Sequence, residues 1–188
     1  LNNHDKNAIV NLQSVGSLRG LLHMTGDRIS VQGVGQSLSG DIYVGQALGV
    51  KAVTIDTAGH ITILSSSGGA TVTGKEVDIR TLNGRLTIRE GNGTEENPNN
   101  CIDGESVTLT STQMNFGANV EASKKLTIKN SSFLEQSRGF LESAELSFEG
   151  SGNVGSGTAD RIDIKTAKLI VNPSTANKPG LVSLSNKN

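Results

Sequence analysis

Hydrophobic and polar residues alternate along this chain in short runs of the form apolar, hydroxyl or acidic, apolar. Examples are Leu86-Thr87-Ile88, Leu126-Thr127-Ile128 and Ile162-Asp163-Ile164. A period of two places both apolar residues on one face of a β-strand. A strand with two buried positions is too short to be stable alone. The pattern therefore predicts short strands that are stacked on copies of themselves.

The runs recur at a nearly constant distance. The first apolar residues lie 21 residues apart from Leu86 to Val107, 19 from Val107 to Leu126, and 20 from Leu126 to Leu146. Such a period, with short strands, is typical of a solenoid in which one repeat makes one turn. The spacing predicts an all-β fold, a parallel β-helix (β-solenoid) with about 20 residues per rung. The chain would then form about nine rungs and a rod on the order of 40 Å long.

A β-sandwich of antiparallel hairpins is the alternative fold. It would favour longer alternating strands, turns every 8–12 residues and large aromatic residues in the core. Aromatic residues make up 3% of this chain, tryptophan is absent, and 23 glycines suit many tight turns. These features favour the β-helix, because its narrow core is filled by stacked valine, isoleucine and leucine.

The organisation of the chain follows from where the pattern holds. Residues 1–26 are the least regular and are predicted to be an N-terminal cap or an atypical rung. Helical spacing of Ile9 and Leu12 is also visible there, although Gly16 weakens it. Residues 27–188 are predicted to be rungs, interrupted by a polar loop insertion at residues 91–104.

The inserted loop is the candidate binding segment, because loops on a rigid scaffold often carry recognition. A solvated excursion without a binding role is the alternative. The candidate binding residues are the polar members of the loop: Asn92, Thr94, Glu95, Glu96, Asn97, Asn99 and Asn100.

Composition and charge argue against several functions. The chain has 17 basic and 18 acidic residues, which favours neither nucleic acid nor an anionic membrane as partner. No apolar run approaches the 18 or so residues of a membrane span. The single cysteine, Cys101, is expected to be a small, half-buried residue that lies just before a strand. The histidines His4, His23 and His60 lack a second ligand at a suitable spacing, so neither a metal nor another cofactor is predicted.

Acidic residues are the candidates for catalysis. Asp78, Asp163 and Glu145 lie between apolar residues of their strands and should point outward, whereas Asp56 and Asp103 are expected at strand edges. Two outward carboxylates on one face could act as general acid and general base on a polysaccharide.

The motifs of β-helical pectin hydrolases are nevertheless missing. Gly59-His60 is followed by Ile61 and not by glycine, and Arg161-Ile162 is followed by Asp163 and not by lysine. The chain has no Asp-Asp or Asn-Thr-Asp sequence, and Tyr43 is the single tyrosine. The prediction is that the protein is not an enzyme.

Runs such as Gly84-Arg85-Leu86-Thr87-Ile88 and Lys124-Lys125-Leu126-Thr127-Ile128, repeated near 20 residues, resemble the haemagglutinin repeats of bacterial filamentous exoproteins. These proteins belong to two-partner secretion systems, and autotransporter passengers look similar. The resemblance covers about residues 27–185 and is one of rhythm. It implies a right-handed β-helix, export through an outer-membrane transporter, and a location outside the cell or on its surface.

The sequence thus predicts a rod segment of a secreted or cell-surface bacterial adhesin. Its partner would be a receptor, protein or glycan, on a host or neighbouring cell. The alternative is a β-helix that binds or cleaves a carbohydrate, as a lyase, glycosidase or phage tail-type protein does.

Overall fold

The computed structural model describes residues 2–3, 9–14, 22–33, 41–64, 70–89, 100–156, 161–172 and 181–187. In these residues thirteen strands pair in one continuous sheet, every pairing is parallel, and no helix occurs. The strands are β1 (Asn2–Asn3), β2 (Ile9–Ser14), β3 (Leu22–Gly33), β4 (Ile42–Thr57), β5 (Ile61–Leu64), β6 (Val72–Thr81), β7 (Arg85–Arg89), β8 (Asn100–Phe116), β9 (Asn119–Gln136), β10 (Leu141–Glu149), β11 (Asn153–Val154), β12 (Ile162–Asn172) and β13 (Leu184–Asn186).

The strands wind into a β-solenoid, which confirms the predicted all-β fold. Each turn has three faces, and β9 passes through all of them: residues 120–122 lie on the first face, 125–130 on the second and 133–136 on the third. Each face stacks on the same face of the turns before and after it. The register shifts at the corners between faces, where extra residues bend the chain.

The core consists of columns of apolar residues that run along the rod. Val107, Leu126 and Leu146 are in register on the second face, and each is at most 1% exposed. The alternation predicted from sequence is confirmed for every run in which both apolar residues were expected to point inward. The buried pairs are Ile29 and Val31, Ile42 and Val44, Val53 and Ile55, Ile61 and Ile63, Val77 and Ile79, Leu86 and Ile88, Val107 and Leu109, Leu126 and Ile128, Leu146 and Phe148, and Ile162 and Ile164.

The number of turns differs from the prediction. The solenoid has about six turns of about 23 residues, in place of about nine rungs of about 20. The offset between paired residues is 18 from Ile102 to Val120 but 30 from Val72 to Ile102. Corners and the segment before β8 add residues without adding a strand, so the sequence period understates the length of a turn.

Glycines occupy the corner between the first and second faces. Gly74 and Gly104 are in register there. A Cβ atom on Gly104 would lie 2.9 Å from the carbonyl oxygen of Gly74 and 3.0 Å from Cγ2 of Val107. The backbones of adjacent turns therefore approach too closely at this corner for a side chain to fit without a shift.

The N-terminal part contains strands where the structure describes it. Residues Ile9–Ser14 form β2 and pair with β3, so the helical spacing of Ile9 and Leu12 does not correspond to a helix. Strand β3 begins at Leu22 and crosses the predicted boundary at residue 26. The assignment of residues 1–26 as a cap or atypical rung stays a prediction, because most of that segment lies outside the described residues.

Candidate functional site

A groove of about 590 Å³ runs along the second face and crosses four successive turns. Its charged walls come from Asp78 and Arg80 on β6, Lys129 on β9 and Glu149 on β10. Parallel pairing in register explains the arrangement. Arg80, Thr110, Lys129 and Glu149 occupy the same outward position of consecutive turns, at the strand spacing of about 4.8 Å. We call it the second-face groove.

The charges in this groove alternate in sign. The Lys129 ammonium lies 3.3 Å from a carboxylate oxygen of Glu149, and Arg80 is exposed beside Asp78. Hydroxyl-bearing residues of β8, among them Thr108, line the floor between the charged residues. The groove thus offers donors and acceptors along its whole length without a strong net charge.

Asp78 and Asp56 form a pair of acids on adjacent turns beside this groove. Burial, and next the negative charge of Asp56, raise the pKa of Asp78 above its ordinary value, while Arg80 and Lys129 oppose the increase. Oδ1 of Asp56 is buried and accepts no hydrogen bond in the described part of the chain. The carboxylates are therefore close enough to influence each other's charge.

A buried polar ladder supports the groove from below. The Thr81 hydroxyl donates to Oγ of Ser111 (2.8 Å), and the backbone N–H of Leu86 donates to the same oxygen (3.1 Å). Ser111 lies 2.7 Å from the carbonyl oxygen of Gln113 and can donate its own proton there. On the next turn, Nδ2 of Asn130 donates to the carbonyl oxygen of Asn153 (2.9 Å). These bonds fix the corner between the second and third faces, and with it the wall of the groove.

A second groove, of about 480 Å³, lies where the first face meets the second. Asp103, Glu121 and Glu142 are stacked in register on three consecutive turns, and Lys165 follows them on the next. Burial is the largest cause that raises the pKa of Glu121. A hydrogen bond from Asn100 lowers it, and the charges of Glu142 and Asp103 raise it further. Like charges at this spacing repel each other, and this groove is accordingly acidic.

Ion pairs between turns account for other acids. Both oxygens of Glu145 are paired, one with Lys125 (3.1 Å) and the other with Lys168 (2.7 Å). Asp163 lies 3.6 Å from the Lys187 ammonium. These carboxylates are on the outside of the rod, as predicted, and they link successive turns.

Two predicted positions need correction. Asp56 and Asp103 were expected at strand edges, but they lie within β4 and β8, because these strands continue around the corners. Cys101 was expected to be half-buried before a strand, but it is fully buried within β8. Burial raises the pKa of its thiol to about 12, which makes it a poor nucleophile.

Most of the predicted binding loop lies outside the described residues, namely Asn92, Thr94, Glu95, Glu96, Asn97 and Asn99. Asn100 is described. It opens β8, is half-buried, and its Oδ1 accepts a hydrogen bond from Nδ2 of Asn119 (3.2 Å). The contact is structural, and a binding role of the loop stays a prediction.

The buried ladder was missed by the sequence reasoning. The signal was available: Thr57, Thr81, Ser111 and Asn130 each come two positions after the second apolar residue of a run. The alternation therefore continues inward for one further position, but with a polar residue. Such residues turn the chain because their side chains bind the backbone of the corner.

Neither a metal site nor a membrane-spanning helix is found in the residues that the structure describes. Comparison of the chain with protein-family models, with curated proteins and with solved structures returned no match. The fold places the chain among parallel β-solenoids. Its resemblance to filamentous exoproteins stays a prediction.

Proposed function

We propose that this chain is a stiff segment of a secreted or cell-surface bacterial rod, and that it attaches to glycans of another cell through the second-face groove. The observation that carries the proposal is the groove itself. It repeats outward polar positions over four turns and so offers an extended, regular surface. The rhythm shared with filamentous exoproteins supports the location outside the cell. On this proposal an outer-membrane transporter is the export partner.

The chemistry of the groove favours a glycan over other polymers. Sugar hydroxyls both donate and accept hydrogen bonds, and Arg80, Thr108 and Asp78 supply donors and acceptors side by side. A nucleic acid requires an excess of positive charge, but here Lys129 is paired with Glu149. Loops and lids are not needed, because the ladders hold the side chains in place before the ligand arrives.

A glycan array followed by titration of the best ligand tests the proposal. Replacement of the exposed guanidinium by Arg80→Ala should weaken binding about 10-fold or more, since a hydrogen bond to a charged group contributes about 1.5–3 kcal/mol. Arg89→Ala is the matched control, because Arg89 is equally an exposed arginine but lies on the third face. Absence of glycan binding by the unmodified chain, or equal losses in both variants, would contradict the proposal.

Polysaccharide cleavage is a second candidate, favoured by the raised pKa of Asp78 beside Asp56. A carboxyl group that stays protonated near neutral pH can act as general acid, and a second carboxylate can act as base or nucleophile. The assay is release of reducing ends from the glycans that bind, with Asp78→Asn as the comparison. Release that Asp78→Asn abolishes while binding persists would support cleavage, whereas absence of release would leave a binding role alone.

A further inference from the structure

The C-terminal end of the rod exposes the ends of its own core columns. Leu169 and Val171 are in register with Leu146 and Phe148, which are at most 1% exposed. Leu169 and Val171 themselves are 43% and 37% exposed. Val182, in register with the buried Val154, is 36% exposed. The inward positions of the last turn are therefore apolar and uncovered.

The backbone at this end is open as well. Residues 168–172 of β12 pair with β10 on one side, whereas β13 pairs only with residues 162–164. No other strand in the described ranges pairs with residues 168–172. An apolar column together with a free parallel edge is the surface that each turn of this solenoid presents to the next turn.

The opposite end of the rod carries the same columns. Successive registers connect Val10 to Ile29 and, turn by turn, to Leu169; they connect Leu12 to Val31 and onward to Val171. Strand β2 is the outermost strand on the second face there, and it runs parallel to β12. A second copy placed end to end would thus continue both columns with apolar residues and add a parallel strand.

We propose that two copies of this chain associate head to tail, with β2 of one copy added to the free edge of β12 in the other. The contact continues the stacking that holds the turns together within one chain. Because its two surfaces differ, the association is heterologous and can extend into a filament. This inference is independent of the glycan-binding groove.

Sedimentation over a range of concentrations measures the association. The double variant Leu169→Lys/Val171→Lys should weaken it about 10-fold or more, since charges replace the apolar centre of the contact. Both residues are already partly exposed, so the fold should persist, which circular dichroism checks. Leu82→Lys is the matched control, because Leu82 is 51% exposed but lies beside the second-face groove. A monomer at every concentration, or equal effects of both variants, would overturn the proposal.

Disulfide trapping tests the direction. Ile9 and Lys168 occupy the same outward column at opposite ends of the rod, and both are exposed. A mixture of Ile9→Cys and Lys168→Cys chains should form a mixed disulfide, because adjacent parallel strands bring Cα atoms within about 5 Å. The native Cys101 is buried and does not compete. Disulfides formed only between identical variants would refute the head-to-tail arrangement.

Discussion

The buried ladder at the corner between the second and third faces gives the sharpest test of the fold, through the variant Ser111→Ala. Ser111 is 3% exposed, and its Oγ accepts from the Leu86 N–H and from the Thr81 hydroxyl. Alanine fits the space but leaves the Leu86 N–H without a partner. An unpaired buried donor costs about 1–3 kcal/mol and the lost donation to Gln113 about 1 kcal/mol more, so the free energy of unfolding should fall by about 2–4 kcal/mol.

Equilibrium unfolding in urea, followed by circular dichroism, measures this loss as a lower midpoint at unchanged slope. Ser106→Ala is the control. Ser106 lies on the same strand β8 but is exposed, and its replacement should change the free energy of unfolding by less than about 0.5 kcal/mol. If Ser111→Ala and Ser106→Ala unfold at the same midpoint, the ladder does not hold the corner and the reasoning is wrong.

Three further predictions concern single residues. Gly104→Ala should destabilise the chain by about 1–3 kcal/mol in the same unfolding assay, because its Cβ would contact the Gly74 carbonyl oxygen. Cys101 should resist a thiol reagent at pH 8 until the chain is unfolded, since burial raises its pKa to about 12. Lys168→Ala should raise the pKa of Glu145 in an NMR titration, because the hydrogen bond from Lys168 is the largest cause that lowers it.

The Glu145 interaction also sets a direction for stability against pH. Its pKa is lower in the folded chain than its ordinary value, so the ion pairs stabilise the fold above that ordinary value. Their contribution is lost as the pH falls through the lowered pKa. Because Glu145 is exposed, salt should reduce the effect, and a pKa that is unchanged in Lys168→Ala would contradict it.

The sequence predicted the interior of the rod far better than its surface sites. Runs such as Val107-Thr108-Leu109 identify inward residues by alternation alone, and each predicted pair is buried. The second-face groove was not predicted, because its walls come from residues about 20 to 70 positions apart, from Asp78 to Glu149. Their meeting depends on the register between turns, which no single run contains.

The period itself was estimated too short for the same reason. Offsets between paired turns range from 18 to 30 residues, and the variation lies in corners and inserted segments. The alternation within a strand is a local property, whereas the residues added at a corner change the turn without changing the strand.

The sequence by itself determined the fold class, the inward columns and the outward position of acids such as Asp78, because period two is fixed by the geometry of one strand. Only the tertiary structure decided which outward residues share a groove, that Glu145 is held between Lys125 and Lys168, and that Leu169 and Val171 end their columns uncovered. These features arise where separate turns meet, and the stacking register sets them.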